Sequence, residues 1–149
     1  MSRGGARCAA PPAFDRDGRV SSSSGVIVEP VRAHRDARGS LFEPLTDEEL
    51  AAQRNVHVVL TQPNEVRGNH FHRSAVETTA VVGPCRVRLK DSTGLRDIDV
   101  PAGETWRFTI PPGVTHAYRN TGDAVMVLVS FSSRRHDPAG ADTVREEIL

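Results

Sequence analysis

The sequence predicts an all-β fold, a double-sheet jelly roll with one short helix. Three observations indicate this fold class. Apolar residues alternate with polar ones in short runs, which is the period of a half-buried strand. Only one segment carries the start signal of a helix. Turn residues separate the runs at a spacing typical of two packed antiparallel sheets, and they fall at 63–64, 83–84, 92–94, 101–103, 111–113 and 120–122.

The elements follow in chain order. Residues 1–25 are rich in Gly, Pro and Ser and have no apolar period, so we expect a disordered tail. Residues 26–149 have the length of a single domain. Thr46 and Glu49 have the spacing of a capping box and predict the one helix. The segment from Arg134 onward is polar, and we expect it to pack loosely on the outside.

The predicted strands after the helix also define the expected core. Side chains alternate between the two faces of a strand, so Trp106 and Phe108 share one face and Arg107 points to the other. We expect the two aromatic side chains to fill a core between sheets or between subunits. The strand-like runs lie at 56–61, 76–82, 86–90, 98–100, 106–110 and 124–131.

The composition excludes several classes of protein. Lysine plus arginine and aspartate plus glutamate both number 19, and this zero net charge argues against a nucleic-acid partner. No apolar run approaches the length of a membrane span, and we see no signal peptide. We therefore expect a cytoplasmic protein without a membrane partner. The two cysteines, Cys8 and Cys85, do not make a disulfide scaffold.

Three histidines and one glutamate have the spacing of a metal site built on strands. His70 and His72 are two residues apart, so their side chains point to the same face of one strand. Glu77 comes from the next strand after a turn, and His116 follows a Pro-Pro-Gly turn far along the chain. Three nitrogen ligands and one oxygen ligand suit a borderline divalent metal. We expect zinc, with iron, manganese and nickel as alternatives.

Two stretches resemble the two sequence motifs of the cupin family. The first motif is matched by Gly68-Asn-His-Phe-His with Glu77 and Gly83, and the second by Gly103, the Pro-Pro-Gly turn, His116 and Asn120. The gap before Gly83 is one residue shorter than in the motif, and the gap before the prolines is two residues longer. The resemblance implies a double-stranded β-helix, the cupin jelly roll, in agreement with the strand pattern.

Three further features resemble one group of cupins, the nucleotide-sugar epimerases and ketoisomerases of the dTDP-4-keto-sugar type. The run 36–39 resembles their D-x-R-G opening, and Arg67-Gly-Asn-His-Phe resembles their RG-x-H-F strand. The ending 137–143 resembles the metal-binding C-terminal cupin module of capsular nucleotide-sugar reductases. The resemblance implies an epimerase or isomerase acting on a nucleotide-linked 4-keto sugar in polysaccharide or natural-product sugar biosynthesis. It also implies a homodimer, which an exposed apolar strand face would favour.

The resemblance also implies which arginines hold the substrate. A nucleotide sugar carries a diphosphate, which guanidinium groups bind through paired hydrogen bonds. Arg38 and Arg67 match the family positions for this role. Arg86 and Arg88 share one strand face, where they would either extend that patch or be ordinary surface residues.

The implied reaction needs a stabilised enolate, a base and an acid. A metal bound as a Lewis acid stabilises the enolate oxygen, and inversion needs a base on one face of the sugar and a proton donor on the other. Tyr118 shares a strand face with His116 and is the predicted acid. In metal-free relatives the histidine at the position of His70 is the base. If His70 binds metal, His34 and His57 are the imidazoles to test, and the choice stays open.

Two other functions would use the same residues. An iron cupin dioxygenase would use the three-histidine, one-glutamate set to activate oxygen. A non-catalytic small-molecule-binding module would hold a ligand in the same pocket without turnover. Outside these roles, we expect His34, His57 and His136 to be ordinary surface or hydrogen-bonded residues.

Overall fold

Two antiparallel sheets pack face to face in the computed structural model, which describes residues 25–140 and 142–149 and the backbone of 20–21. One helix, α1, spans Asp47–Ala51. The strands in chain order are β1 Val20–Ser21, β2 Ile27–Pro30, β3 Ala33–Asp36, β4 Gly39–Phe42, β5 Asn55–Thr61, β6 Val66–His72, β7 Glu77–Val82, β8 Cys85–Asp91, β9 Gly94–Val100, β10 Thr105–Ile110, β11 Thr115–Asn120, β12 Met126–Ser132 and β13 Thr143–Arg145.

The order of the strands confirms the predicted all-β jelly roll. The six-stranded sheet has the order β1-β2-β10-β7-β12-β5, and the five-stranded sheet has the order β13-β6-β11-β8-β9. Strands that are distant in sequence are therefore neighbours in both sheets. β3 and β4 form a separate two-stranded hairpin.

The core lies between the two sheets and is made by alternate residues of the central strands. Phe108 and Leu128 point inward from the six-stranded sheet, and Leu89 points inward from the five-stranded sheet. Each such side chain contributes about 1.5–3 kcal/mol to folding when fully buried. Trp106 also lies in this core, as predicted, while Arg107 points to the outer face of the sheet.

The helix α1 begins with the predicted capping box. The Thr46 hydroxyl accepts the Glu49 amide at 3.3 Å, and the Glu49 carboxylate accepts the Thr46 amide at 2.8 Å. Arg107 holds the helix on the outer face of the six-stranded sheet, because it donates to Glu49 at 2.6 Å and also to Glu29. Among the described residues, no helix is long and apolar enough to cross a membrane.

The C-terminal segment corrects one expectation, because it does not pack loosely on the outside from Arg134 onward. β13 pairs with β6, and this places Thr143 opposite His72. Asn69 of β6 then accepts the amide of Ile148 at 2.9 Å. The C-terminal segment thus pairs with backbone groups at the β6 edge of the five-stranded sheet. Because backbone pairing does not need apolar side chains, the sequence shows no apolar pattern there.

Most of the predicted N-terminal tail, residues 1–25, lies outside the described residues. Within it, Val20 and Ser21 pair with Val28 and Ile27 of β2 and form the edge strand β1. This two-residue strand is a departure from the predicted tail. It arises because β2 would otherwise leave its hydrogen-bonding groups unpaired along that edge.

The edge strand β5 exposes an apolar outer face. Val56, Val58 and Leu60 are 56%, 61% and 60% exposed. His57 alternates with them and lies opposite the buried Ser130, so its side chain points inward. An exposed apolar edge strand favours association with another surface. The homodimer stays a prediction, and this face is where we expect its contact.

Candidate metal centre

Four side chains from three strands meet between the two sheets. His70 and His72 come from β6, Glu77 is the first residue of β7, and His116 lies on β11. Each offers one ligand atom, and these atoms all lie within 4.8 Å of one another. Glu77 and His116 are buried, while the other two are partly exposed. The structure therefore brings together the four residues that the sequence predicts as metal ligands.

A bulge in β6 determines where the histidines of that strand point. Gly68 and Asn69 have positive φ angles of 89° and 56°. Beside them, the pairing between β6 and β11 shifts its register after His116. As a result Arg67 and His70, three residues apart, both lie opposite inward-pointing residues of β11. In a regular strand two such residues would point to opposite faces.

Gly68 is required at this bulge, and Gly68→Ala is expected to lower the free energy of unfolding by about 2 kcal/mol. An added Cβ would lie 2.7 Å from the carbonyl oxygen of His116, and the φ of 89° is unfavourable for alanine. Denaturant unfolding measures the loss. Gly94→Ala is the matched control, because Gly94 has a φ of 118° and open space around its Cβ position. An equal loss in both variants would contradict the role of the close contact.

Backbone carbonyl groups fix the rings of His70 and His116. Nδ1 of His70 lies 3.1 Å from the oxygen of Gly68, and Nδ1 of His116 lies 3.1 Å from the oxygen of Val114. Because a carbonyl oxygen only accepts, each Nδ1 carries a proton, and the ring is held with its Nε2 toward the cluster. Nε2 of His116 is buried and lies 3.4 Å from Glu77, without a hydrogen bond in the described part of the chain. Metal ligation would satisfy such a nitrogen.

His72 is held between two carboxylates. Its Nε2 lies 2.9 Å from Glu77, and its Nδ1 lies 3.2 Å from Asp142. Asp142 is itself fixed by the Ser74 amide, which donates to it at 2.9 Å. The hydrogen bond to Glu77 raises the pKa of His72 against the opposing effect of burial, and Asp142 adds to the rise. A carboxylate on the outer nitrogen of a ligand histidine orients the ring and strengthens the inner nitrogen as a ligand.

The cluster combines a negative oxygen ligand with a neutral nitrogen ligand. Burial by itself would raise the pKa of Glu77, but the interactions with His116 and His72 outweigh it and hold that pKa well below its usual range. Burial lowers the pKa of His70 to about 4, so this imidazole is neutral at pH 7. A divalent cation requires ligands in these protonation states.

The positions of the four ligand atoms fit a divalent ion. Zinc lies about 2.0–2.2 Å from nitrogen and oxygen ligands, so two ligand atoms of one site are at most about 4.4 Å apart. The separations of up to 4.8 Å therefore require only small inward rotations of the side chains. Four protein ligands leave positions open for substrate on a metal that accepts more than four.

A cavity of about 390 Å³ opens beside the cluster, and its wall includes His70, His72 and Glu77. The rest of the wall contains polar side chains that the sequence analysis did not assign to the site or regarded as ordinary. The inward face of β5 and the segment after β12 supply most of them. They include His57, Ser132, Arg134, Arg135, His136, Asp137 and Asp142.

Tyr118 adjoins the centre but does not line this cavity. Its ring centroid lies 5.8 Å from that of His116, and its side chain is buried. Burial and then the charge of Glu77 raise the pKa of Tyr118 well above its usual value, so the hydroxyl keeps its proton. In the described part of the chain that hydroxyl has no partner at hydrogen-bonding geometry.

The arginines that the resemblance predicts for substrate binding do not line the cavity either. Arg38 lies in the β3–β4 hairpin and pairs with Asp36 at 2.5 Å. Arg67 shares the inward face of β6 without reaching the cavity wall. Arg86 and Arg88 each pair with an aspartate of β9, at 2.8 Å and 2.6 Å. These pairs lie away from the cavity and favour the interpretation of Arg86 and Arg88 as ordinary surface residues.

Comparisons with solved structures find the same fold. CapF, a capsular polysaccharide assembling protein from Staphylococcus aureus, is 27% identical with a TM-score of 0.59, and the match covers 80% of this chain and 33% of CapF. This chain therefore spans about a third of that relative's length.

Two shorter proteins match over most of their length. QdtA, a sugar 3,4-ketoisomerase from Thermoanaerobacterium thermosaccharolyticum solved with TDP, has a TM-score of 0.63 and 18% identity, covering 84% of this chain and 90% of QdtA. RmlC, a dTDP-6-deoxy-D-glucose-3,5-epimerase from Legionella pneumophila, has a TM-score of 0.68 and 15% identity, covering 88% of this chain and 78% of RmlC. At these identities the likeness establishes the fold alone.

A family model identifies the chain more directly. A search of the curated proteins found no match. The model described as the polysaccharide biosynthesis C-terminal domain matches residues 34–144, a range that contains all four candidate ligands and most of both sheets. This match extends over well more than half of the chain. The protein therefore belongs to the polysaccharide biosynthesis C-terminal domain family.

Proposed function

We propose that this protein is an epimerase or isomerase that acts on a nucleotide-linked 4-keto sugar in polysaccharide or natural-product sugar biosynthesis. One observation carries the proposal: His57, an imidazole outside the ligand set, lines the same cavity as the metal cluster. A base and a Lewis-acid site on one cavity are what proton abstraction next to a ketone requires. The family match and the likeness to CapF support the sugar class of the substrate.

The four-residue cluster is the proposed site of a divalent metal, with zinc as the first expectation. His70, His72 and His116 would supply nitrogen ligands, and Glu77 would supply oxygen. A metal bound there supplies Lewis acidity toward the ketone oxygen of the substrate. His70 would then not be free to act as the base, because its Nε2 would be a metal ligand.

His57 is the base in this proposal. It lies on the inward face of β5 opposite Ser130, which in turn lies opposite Thr79 of β7. Neighbouring strands are about 4.8 Å apart, so His57 lies about 10 Å from β7 across the sheet. The imidazole and the cluster both face the cavity of about 390 Å³, which is where the proposed sugar ring would lie. His34 instead lines a surface depression of the β3–β4 hairpin.

The proposed chemistry is a proton transfer in two steps. The His57 imidazole takes a proton from the carbon next to the ketone, and the electron pair of that C–H bond moves toward the ketone oxygen. Return of a proton to the opposite face inverts the carbon. Tyr118 stays the predicted donor for this second step, because its hydroxyl keeps its proton at neutral pH, although it lies beside His116 and not on the cavity wall.

Solvent exchange tests the base. With dTDP-4-keto-6-deoxyglucose in D₂O, the unchanged protein is expected to introduce deuterium at the carbon next to the ketone. His57→Gln should lower the exchange rate by at least about 100-fold, the usual contribution of a positioned base. His34→Gln, which removes an imidazole outside the cavity, should leave the rate unchanged. NMR of the sugar measures both exchange and inversion.

Tyr118→Phe tests the donor in the same assay. If Tyr118 supplies the second proton, this variant exchanges deuterium but returns it to the original face without inversion. Full inversion in this variant would exclude Tyr118 as the donor, and full exchange in His57→Gln would exclude His57 as the base. Absence of exchange with both dTDP- and UDP-linked sugars would contradict the function itself. Oxygen uptake with bound iron would then favour the dioxygenase, and tight binding without turnover would favour the binding module.

A further inference from the structure

Two arginines that the sequence motifs do not indicate, Arg134 and Arg135, lie at the cavity wall. We infer that Arg134 and Arg135 hold the diphosphate of the nucleotide-linked substrate whose sugar reaches the metal cluster. This inference rests on the proposed function and names the residues that fix its substrate class. Both arginines line the same cavity as His72 and Glu77.

Two properties together set these arginines apart, namely their place on the cavity wall and the lack of a paired carboxylate among the described residues. No carboxylate pairs with Arg134 or Arg135 in the part of the chain that the structure describes. No other arginine lines the cavity among the described residues. Four arginines elsewhere are already paired within the chain, namely Arg38 with Asp36, Arg86 with Asp99, Arg88 with Asp97 and Arg107 with Glu29.

The acidic residues of the cavity wall have other partners. Glu77 contacts His72 at 2.9 Å. Asp142 contacts His72 at 3.2 Å and accepts the Ser74 amide. Asp137 accepts the amide of Ala139 at 2.9 Å and so belongs to a turn. The two guanidinium groups are therefore not in ion pairs with these carboxylates, and a bound metal would offset the negative charge of the acidic side chains at the cluster.

The segment that carries the arginines is tied down on both sides. At its start, the Ser133 amide donates to the oxygen of Val76 at 3.0 Å, and the Ser133 hydroxyl accepts the Val76 amide at 2.9 Å. At its end, the Arg73 amide donates to the oxygen of Asp142 at 2.8 Å. Both attachments are to the turn between β6 and β7, which joins the ligands His72 and Glu77. The guanidinium groups therefore originate within reach of the metal cluster.

The chemistry of the ligand follows from this arrangement. A guanidinium presents several N–H donors in one plane and binds phosphate oxygens in pairs, which a lone surface charge does not do. A single ligand that fills the cavity would place an anionic group at the arginines and a neutral polar group at the cluster. A sugar with a ketone, linked to a nucleoside diphosphate, has both parts in this order.

Binding of TDP, measured by titration calorimetry, tests the inference. Arg134→Gln and Arg135→Gln are each expected to weaken binding by about tenfold or more, and the double variant should lose more than either. The slope of affinity against salt concentration should also decrease in the double variant. Arg86→Gln is the matched control, because that guanidinium is paired with Asp99 on the outer face and should bind TDP as the unchanged protein does.

The outcomes separate this inference from the proposed function. If TDP binds the unchanged protein and the double variant equally well, the inference is wrong and the proposed function stands. A loss in Arg38→Gln or Arg67→Gln without a loss in the double variant would also overturn it, in favour of the arginines that the motifs indicate. If the unchanged protein binds neither TDP nor UDP, the nucleotide-sugar function fails, and the inference fails with it.

Discussion

The His72→Ala variant is expected to lose the metal centre and with it the exchange activity. Removing one imidazole leaves three protein ligands and takes away the group that Glu77 and Asp142 both contact. Loss of a direct ligand should cost more than the 10- to 100-fold that loss of an outer partner costs. We therefore expect about one divalent metal per chain in the unchanged protein and less than about a tenth of that in the variant.

Elemental analysis of protein purified without a metal-chelating tag measures this loss. His57→Ala is the matched control, because it removes an imidazole from the same cavity but not from the ligand set, and its metal content should be unchanged. Zinc is the expected metal. If the unchanged protein contains no metal, the cluster is not a metal centre, and His70 is again the candidate base. Equal metal in His72→Ala would exclude His72 as a ligand.

The clustering of the four side chains could be predicted because much of it follows from local sequence. Side chains two residues apart on a strand share a face, and His70 and His72 therefore had to point together. The turn after His72 brings Glu77 back on the next strand, and the Pro-Pro-Gly turn sets the start of the strand that carries His116. The alternation of apolar residues likewise gave the strands and the two-sheet core.

The bulge in β6 limited what the same alternation could predict. A strict two-residue period places Arg67 and His70 on opposite faces, whereas the structure places them on the same face. The shift depends on how β6 pairs with β11, and the only sign of it in the sequence is a glycine, Gly68, inside a predicted strand. In the sequence, Gly68 is recognisable only as part of a cupin-like motif.

The ion pairs of two surface arginines could have been predicted from the hairpin formed by β8 and β9. Arg86 and Arg88 lie on β8, and the short turn at 92–94 returns the chain along β9. The register of that hairpin places Arg86 opposite Asp99 and Arg88 opposite Asp97. Opposite charges directly across two strands pair readily. This pairing leaves less of each guanidinium available to an anion.

The polar wall of the cavity had no periodic signal in the sequence, only the motif resemblance at 137–143. The segment from Arg134 to Asp142 has no period, and its position follows from β13 pairing with an edge of the distant strand β6. His57 was visible as an imidazole, but its place in the cavity depends on β5 lying beside β12. Such neighbours, distant in sequence, are set by tertiary packing rather than by local preference.

Asp142→Asn is expected to lower the affinity for the metal by about 10- to 100-fold, the usual cost of removing the outer partner of a ligand histidine. The asparagine keeps an oxygen that can accept the Ser74 amide, so the turn after β6 is preserved. What the variant loses is the negative charge 3.2 Å from Nδ1 of His72, which orients the ring. Competition with a metal-binding dye measures the affinity.

The pH dependence separates this role from a purely structural one. Glu77 and, to a smaller extent, Asp142 raise the pKa of His72, and the metal must displace the proton that this raised pKa retains. Metal affinity therefore falls as the pH drops below that pKa. In Asp142→Asn the pKa is raised less, so the fall should begin at a lower pH. Ser74→Ala is the control, because it removes only a hydroxyl contact to Asp142 and should leave that pH unchanged. Asp142→Asn could instead lower the metal affinity without changing the pH at which that affinity begins to fall. Asp142 would then act only by holding the turn after β6.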